Sequence, residues 1–272
     1  MTEWICRTCG VEQAVTADPP QACAICTDER QYVLPGGPSW TTTDELLAGG
    51  YRLSLTELEP GLWGLRIEPK VGIGQCALLA RTPTGNLLFD VPPMVDPDAV
   101  NALQELGGVA AIMASHPHMY GSQVAWSRAF GGIPVYVAAR DVGWVQRTDP
   151  VIVTWQQPFH PVPGIRASQV GGHFPGQTIA SWTGADGAEV LLAGDACSVR
   201  PDGNVTFLRS YPNIIPLSPR GVRQIVAGFD EYRYQRLYDN FAGRLAADAA
   251  ATVHFSADRY VAWITGEHDD LL

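Results

Sequence analysis

Apolar and polar positions alternate along residues 51–59, with Tyr51, Leu53 and Leu55 on one face before Leu58. Pro60-Gly61 interrupts the pattern and residues 62–67 resume it, which predicts a β-hairpin. Residues 76–81 and 86–90 predict two more strands, joined by Thr82-Pro83-Thr84-Gly85. The period then lengthens. Residues 96–106 have helical spacing, with Pro97 suited to the first turn and Gly107-Gly108 to the stop. A short buried strand at 109–114 leads into a loop, a helix over 121–130, a strand at 135–138 and a helix near 140–146. Further on come a strand at 165–170, a hairpin of 178–183 with 189–193, and amphipathic helices over 218–229 and 248–264.

Strands therefore come first as antiparallel pairs and then as strand–helix units, and the order partly repeats. This predicts a layered α/β sandwich rather than a barrel or a dinucleotide-binding sheet. No Gly-x-Gly-x-x-Gly follows a strand, and no phosphate-binding Walker A sequence is present. The periodic region spans 50–272; residues 1–34 and a turn-rich linker over 35–49 precede it. Thr41-Thr42-Thr43-Asp44-Glu45 can open a short helix.

The chain has 272 residues, 46% of them hydrophobic, which suffices for one large core with a small appendage. Its net charge of -10 repels phosphates, so neither nucleic acid nor an anionic membrane is an expected partner. With no basic-then-apolar leader and no membrane-length apolar run, a cytoplasmic location is expected.

Four of the six cysteines form two Cys-x-x-Cys turns, Cys6-Arg7-Thr8-Cys9 and Cys23-Ala24-Ile25-Cys26. Two such turns supply four thiolates to one tetrahedral ion, and a segment this short needs that ion to fold. The segment resembles zinc ribbons and rubredoxin-type modules. Its second turn lacks the proline and glycine usual in rubredoxins, so structural zinc is expected over iron. Cys76 and Cys197 stand alone and read as buried small hydrophobes.

The remaining chemistry lies in three places: Ser115-His116-Pro117-His118-Met119-Tyr120-Gly121, Gly171-Gly172-His173-Phe174-Pro175-Gly176, and the end of Val190-Leu191-Leu192-Ala193-Gly194-Asp195. Three imidazoles and a carboxylate can hold one zinc-class ion. These residues, each at a predicted strand end, resemble the metallo-β-lactamase-like superfamily over residues 50–265. The resemblance implies a four-layer αββα sandwich with metal sites along one edge. Members are mostly hydrolases of esters, thioesters, lactams, lactones or phosphodiesters, and some are iron oxygenases or oxidoreductases.

The family motif His-x-His-x-Asp-His departs here at its last two positions, Tyr120 and Gly121. The place of its final metal histidine, near 237–241, holds none, and His254 lies in a helical stretch. What survives is His116, His118 and His173 of the first metal position, with Asp195 matching the bridging carboxylate. One ion is expected; two would require Tyr120 or Asp239 as oxygen ligands.

The expected chemistry is hydrolysis of a small ester, thioester or lactone, with zinc in the histidine site and iron as the alternative. Asp195 would be a ligand or orient water, and neutral Tyr120 would donate to an oxyanion or leaving group. On the loop after Asp195, Arg209 is a candidate for an anionic group and Tyr211 for stacking. Met119, Tyr120 and Trp126 would form an aromatic rim. Two other readings compete. One is a non-catalytic metal protein whose cysteine module docks a protein partner or a second copy; the other is an iron redox protein.

Overall fold

The structure, a computed structural model, describes residues 1–156 and 158–272. Two sheets face each other. The first has seven strands, ordered as in the chain: Arg52–Glu59, Leu62–Glu68, Ala77–Ala80, Leu87–Phe89, Ala111–Met113, Val135–Ala138 and Ile152–Trp155. Its first four strands are antiparallel and its last four parallel. The second sheet runs Phe159–Val162, Ile165–Gln169, Thr178–Thr183, Glu189–Gly194, Tyr234–Asp239 and Arg244–Leu245. Glu189–Gly194 and Tyr234–Asp239 are its parallel pair.

Alternation sorts the side chains into layers, since successive strand residues point to opposite faces. Leu78, Leu87, Phe89 and Met113 meet Ile165, Ala180, Trp182 and Leu192 between the sheets. Their neighbours Leu79, Leu88 and Ile112 pack outward with Leu103 of helix Pro97–Glu105 and Val124 and Trp126 of helix Gln123–Ala129. On the far side, Ile179, Leu191 and Leu237 pack against Val222, Ile225 and Phe229 of helix Pro219–Phe229 and Val253 of helix Ala249–Ile264. This is the expected αββα order. Helix Pro97–Glu105 has the expected proline in its first turn, and Asp96 caps it by accepting from the Asp98 N–H.

Two expectations change, and one strand had gone unread. Residues 35–49 are not a plain linker: Trp40–Thr41 pairs with Ile5–Cys6, and helix Thr43–Ala48 follows, closed by a capping box between Thr42 and Glu45. The helix expected near 140–146 is a 3₁₀ segment, Ala139–Trp144. Strand Tyr234–Asp239 was hidden by Arg236, a charge mid-strand. Its side chain is only 10% exposed and pairs with Glu59 at 2.8 Å and Asp186 at 2.7 Å, so the charge is tolerated.

The first 34 residues lie directly on the sandwich. Cys6, Val11 and Ile25 share a core with Leu65 and Met119. Glu12 donates its N–H to Gly121 O at 2.9 Å and its buried carboxylate accepts from the Val124 N–H.

Candidate functional site

The site forms where strands of both sheets end at one edge. Strand Ala111–Met113 delivers Ser115 there, and Asp90 fixes it by accepting the Ser115 N–H at 2.7 Å. Ser115 O accepts from the Thr178 N–H at 2.7 Å, tying the loop to the second sheet. A 3₁₀ turn, Pro117–Met119, swings His118 to the same side as His116. His173 sits on the turn after Ile165–Gln169, and Asp195 lies just past Glu189–Gly194. Gly194 has φ 58°, and a Cβ there would strike the Ser115 side chain, so glycine lets the two strand ends close.

The four side chains converge. His173 Nε2 lies 3.3 Å from His118 Nδ1, and Asp195 Oδ2 lies 3.4 Å from His116 Nε2 and 3.9 Å from His173 Nε2. Nitrogens about 2.05 Å from a tetrahedral zinc ion stand roughly 3.3–3.4 Å apart, so these gaps fit one ion. The outer ring nitrogens are held: His173 Nδ1 donates to Leu208 O at 3.0 Å, and His116 Nδ1 lies 3.0 Å from Ser115 Oγ. Such bonds fix the tautomer and aim a lone pair inward.

Burial keeps these rings neutral. It pulls His116 and His173 down to about 3 and His118 well below the ordinary range. Burial pushes Asp195 up to about 6, with His173 opposing. His116 Nε2 and Asp195 Oδ1 have no hydrogen-bond partner although buried. A knot of buried lone pairs without donors is costly unless a cation fills it, so the residues present fit a metal ion.

Among the described residues, a second ion finds no such set beside the histidines. Tyr120 is buried, and its hydroxyl donates to the backbone oxygen of Asp141 at 3.0 Å. It does not line the cavity over the histidines, and burial lifts its pKa well above the usual value. The expected catalytic donor is therefore turned away and engaged. Gly121 has φ 47°, and a Cβ there would fall on the Val91 carbonyl oxygen, so no histidine fits. Asp239 accepts from the N–H groups of Val199, Phe241 and Gly243, closing the loop where the family's last histidine was sought. His254 is exposed on its helix and paired with Asp230 at 2.7 Å. Cys76 and Cys197 are both buried, as expected.

The other cluster is closed. Cys6, Cys9, Cys23 and Cys26 are all buried, with Cys6 and Cys26 sulfurs 3.6 Å apart and those of Cys9 and Cys23 3.7 Å apart. A disulfide would need about 2.05 Å, whereas four sulfurs about 2.3 Å from a tetrahedral ion stand roughly 3.8 Å apart. This set, too, fits one metal ion. Burial raises the Cys9 thiol well above its usual value, so a cation is needed to hold thiolates there.

A cavity of about 230 Å³ opens above His118, His173 and Asp195. Tyr211 lines it as expected, its ring 5.7 Å from His173. Arg209 does not: it is tied to Glu29 at 2.6 Å and helps fasten the N-terminal segment. Met119 and Trp126 are buried away from the cavity, so the expected aromatic rim is absent among the described residues. The walls missed in the sequence are Gln31, Tyr32, Lys70, Ile73 and Phe241. Gln31 and Tyr32 come from the segment after Cys26. There Arg30 stacks over Phe174 at 4.0 Å, and Phe174 in turn packs on His118 at 4.9 Å.

No protein-family profile matches the chain. Solved structures share its architecture at low identity. A B3 metallo-β-lactamase with an active-site glutamic acid superposes with a TM-score of 0.55 at 15% identity, over 84% of this chain and 96% of its own. The metallo-β-lactamase from Pontibacter korlensis gives 0.56 at 12%, over 77% and 99%. These likenesses establish the metallo-β-lactamase fold. The protein YmaE of Bacillus subtilis (strain 168) is 38% identical over 271 residues, 98% of each chain. The chain thus belongs to one family with YmaE, built on the metallo-β-lactamase fold and extended by a four-cysteine segment.

Proposed function

We propose that this protein is a metal-dependent hydrolase of a small ester, thioester or lactone, working at a single-ion site of His116, His118, His173 and Asp195. The observation that carries the reading is the convergence of four buried ligand side chains, His116 Nε2 among them without any hydrogen-bond partner, at a cavity that His118, His173 and Asp195 line. An ion there supplies Lewis acidity toward a carbonyl oxygen and lowers the pKa of water. Zinc suits the nitrogen-rich set, as it suits the four sulfurs.

The chain's own residues orient and shield. Asp195 presents Oδ2 to the ligand set and leaves Oδ1 free to accept a hydrogen bond from a water. Tyr211 buttresses Asp195 by donating to its backbone oxygen at 3.3 Å. Tyr120 is a positioning residue that holds the 117–121 turn against Asp141. In this reading residues 1–34 form a zinc module whose ion is structural, on a catalytic domain of residues 50–272.

Metal analysis with a hydrolysis screen tests the proposal. Protein purified without added metal should carry two zinc ions, and His116→Ala one. Only the intact protein should turn over ester, thioester or lactone probes, and chelation should remove that activity. Iron in both sites would favour a redox protein. Full turnover by His116→Ala would end the proposal.

A further inference from the structure

We infer that Arg30 is a positioning residue for the histidine site and acts on it through Phe174. This rests on the four-ligand site of the reading above and not on its substrate. Arg30 follows closely after Cys26, and its side chain is only 8% exposed. Burying a guanidinium is costly unless it is paired and oriented. One carboxylate pairs with it: Asp28 Oδ1 accepts from Nη1 at 2.8 Å and from the Arg30 N–H at 3.0 Å. Nε has no hydrogen-bond partner among the described residues. The guanidinium carbon instead lies over two aromatic rings, 4.0 Å from the centre of Phe174 and 5.8 Å from that of Trp144. A cation is drawn to a ring face, more strongly where water is excluded.

Phe174 carries that hold to the site. The ring is buried and touches all three ligand histidines. It stacks on His116 with centres 5.5 Å apart and planes 28° apart, and it meets His118 edge-on at 4.9 Å and His173 at 5.2 Å. His118 needs this contact most. Its Nδ1 faces His173, and its outer nitrogen, Nε2, has no hydrogen-bond partner among the described residues. A ligand histidine is ordinarily oriented by a hydrogen bond at its outer nitrogen. His116 and His173 have such bonds. For His118 the edge-to-face packing on Phe174 takes that role.

The side chain acts separately from the backbone that carries it. Arg30 O accepts from Ser210 Oγ at 3.0 Å. Asn213 Nδ2 donates to the carbonyl oxygens of Glu29 and Gln31, each at 2.9 Å. These bonds hold the main chain beside the cavity whatever side chain stands at position 30. Removing the guanidinium therefore frees Phe174 and His118 while the segment stays docked.

The test needs no turnover: it follows zinc leaving the full-length, zinc-loaded protein after a chelator is added. The phase belonging to the histidine site is the one missing from His116→Ala. Arg30→Met keeps an unbranched side chain and removes the guanidinium. It should release this zinc about tenfold faster and shift the ring nitrogen resonances of His118 in a histidine-labelled sample. Phe174→Leu should do the same. Adding Arg30→Met to Phe174→Leu should change the rate by less than about twofold, because the two residues act in series. Arg30→Lys, which keeps the charge, should recover part of the loss. The cysteine-site zinc should leave at the wild-type rate throughout. Unchanged or slower release from Arg30→Met overturns the inference, as does full additivity with Phe174→Leu. Equal acceleration of both zinc ions marks a general loosening and overturns it too. A wild-type protein without the histidine-site phase removes the site reading itself, and the inference with it.

Discussion

The two candidate metal centres sit close together and are built in opposite ways. The cysteine cluster draws its ligands from one short stretch, with Cys6 and Cys26 only 20 positions apart, and all four cysteines are buried. The histidine site gathers ligands from separate strand ends; His118 and His173 alone are 55 positions apart. It forms only when both sheets are assembled, and a cavity opens over it. Closed four-ligand sites suit structural ions, and sites with an accessible face suit reactive ones. The contrast implies that the first ion shapes the second site: Asp28 to Tyr32 follow directly after Cys26 and carry two of the cavity walls.

Replacing Cys6 and Cys9 with serine should therefore have the largest effect. The variant should lose one ion, keep the histidine-site ion, and lose more than about 5 kcal/mol of stability. Substrate KM should rise as Gln31 and Tyr32 leave the cavity. Metal analysis and urea unfolding check this. Simultaneous loss of both ions would mean that the two centres form one cooperative unit.

Gly121→His tests why only one ion is expected at the histidine edge of the sheets. Restoring the family's histidine forces a side chain onto the Val91 carbonyl at positive φ. The expected result is a loss of about 4 kcal/mol and no additional ion. A third zinc per chain in a folded variant would show that the loop can open to rebuild the missing position.

The sequence was most legible where neighbours in the chain carry the signal. The pair Cys6 and Cys9 announces a turn by itself. Leu78 and Leu79, or Leu87 and Leu88, belong to continuous apolar runs whose alternate members face different layers, so they mark buried strands. His116 and His118 stood out because they follow such a strand. Legibility failed where meaning comes from packing. Nothing local says that the Tyr120 hydroxyl turns to Asp141, or that Arg209 is spent on Glu29. Gln31 and Lys70 meet at the cavity only because the N-terminal segment docks over the loop after strand Leu62–Glu68.

The docking of the two regions should also depend on pH through Glu12. Burial pushes its carboxyl up to about 7, against the pull of the Val124 N–H and of Arg147. An unfolded glutamate titrates near ~4.3. Between those values the folded chain holds a proton that the unfolded chain releases, so this group's contribution falls as pH rises from about 4.3 to about 7. The full effect is at most about 4 kcal/mol. Compared with Glu12→Gln, the wild-type chain should lose stability between about pH 4 and about pH 7 in urea unfolding. A relative gain would mean that the 3.0 Å pair with Arg147 dominates and holds the carboxylate ionised.

The smallest predicted change separates a chemical from a structural role for Tyr120. Its hydroxyl donates to the Asp141 carbonyl, and the residue does not line the cavity over the histidines. Tyr120→Phe removes that bond and leaves a buried carbonyl short of a donor, costing about 1–2 kcal/mol of stability. If the tyrosine only positions the turn, kcat should fall by less than about fivefold, because the two histidines on the turn keep their other supports. A general acid removed from the reaction would lower kcat by about a hundredfold or more. A loss of that size, with zinc content unchanged, would require the hydroxyl to leave Asp141 when substrate binds and would return Tyr120 to the catalytic residues.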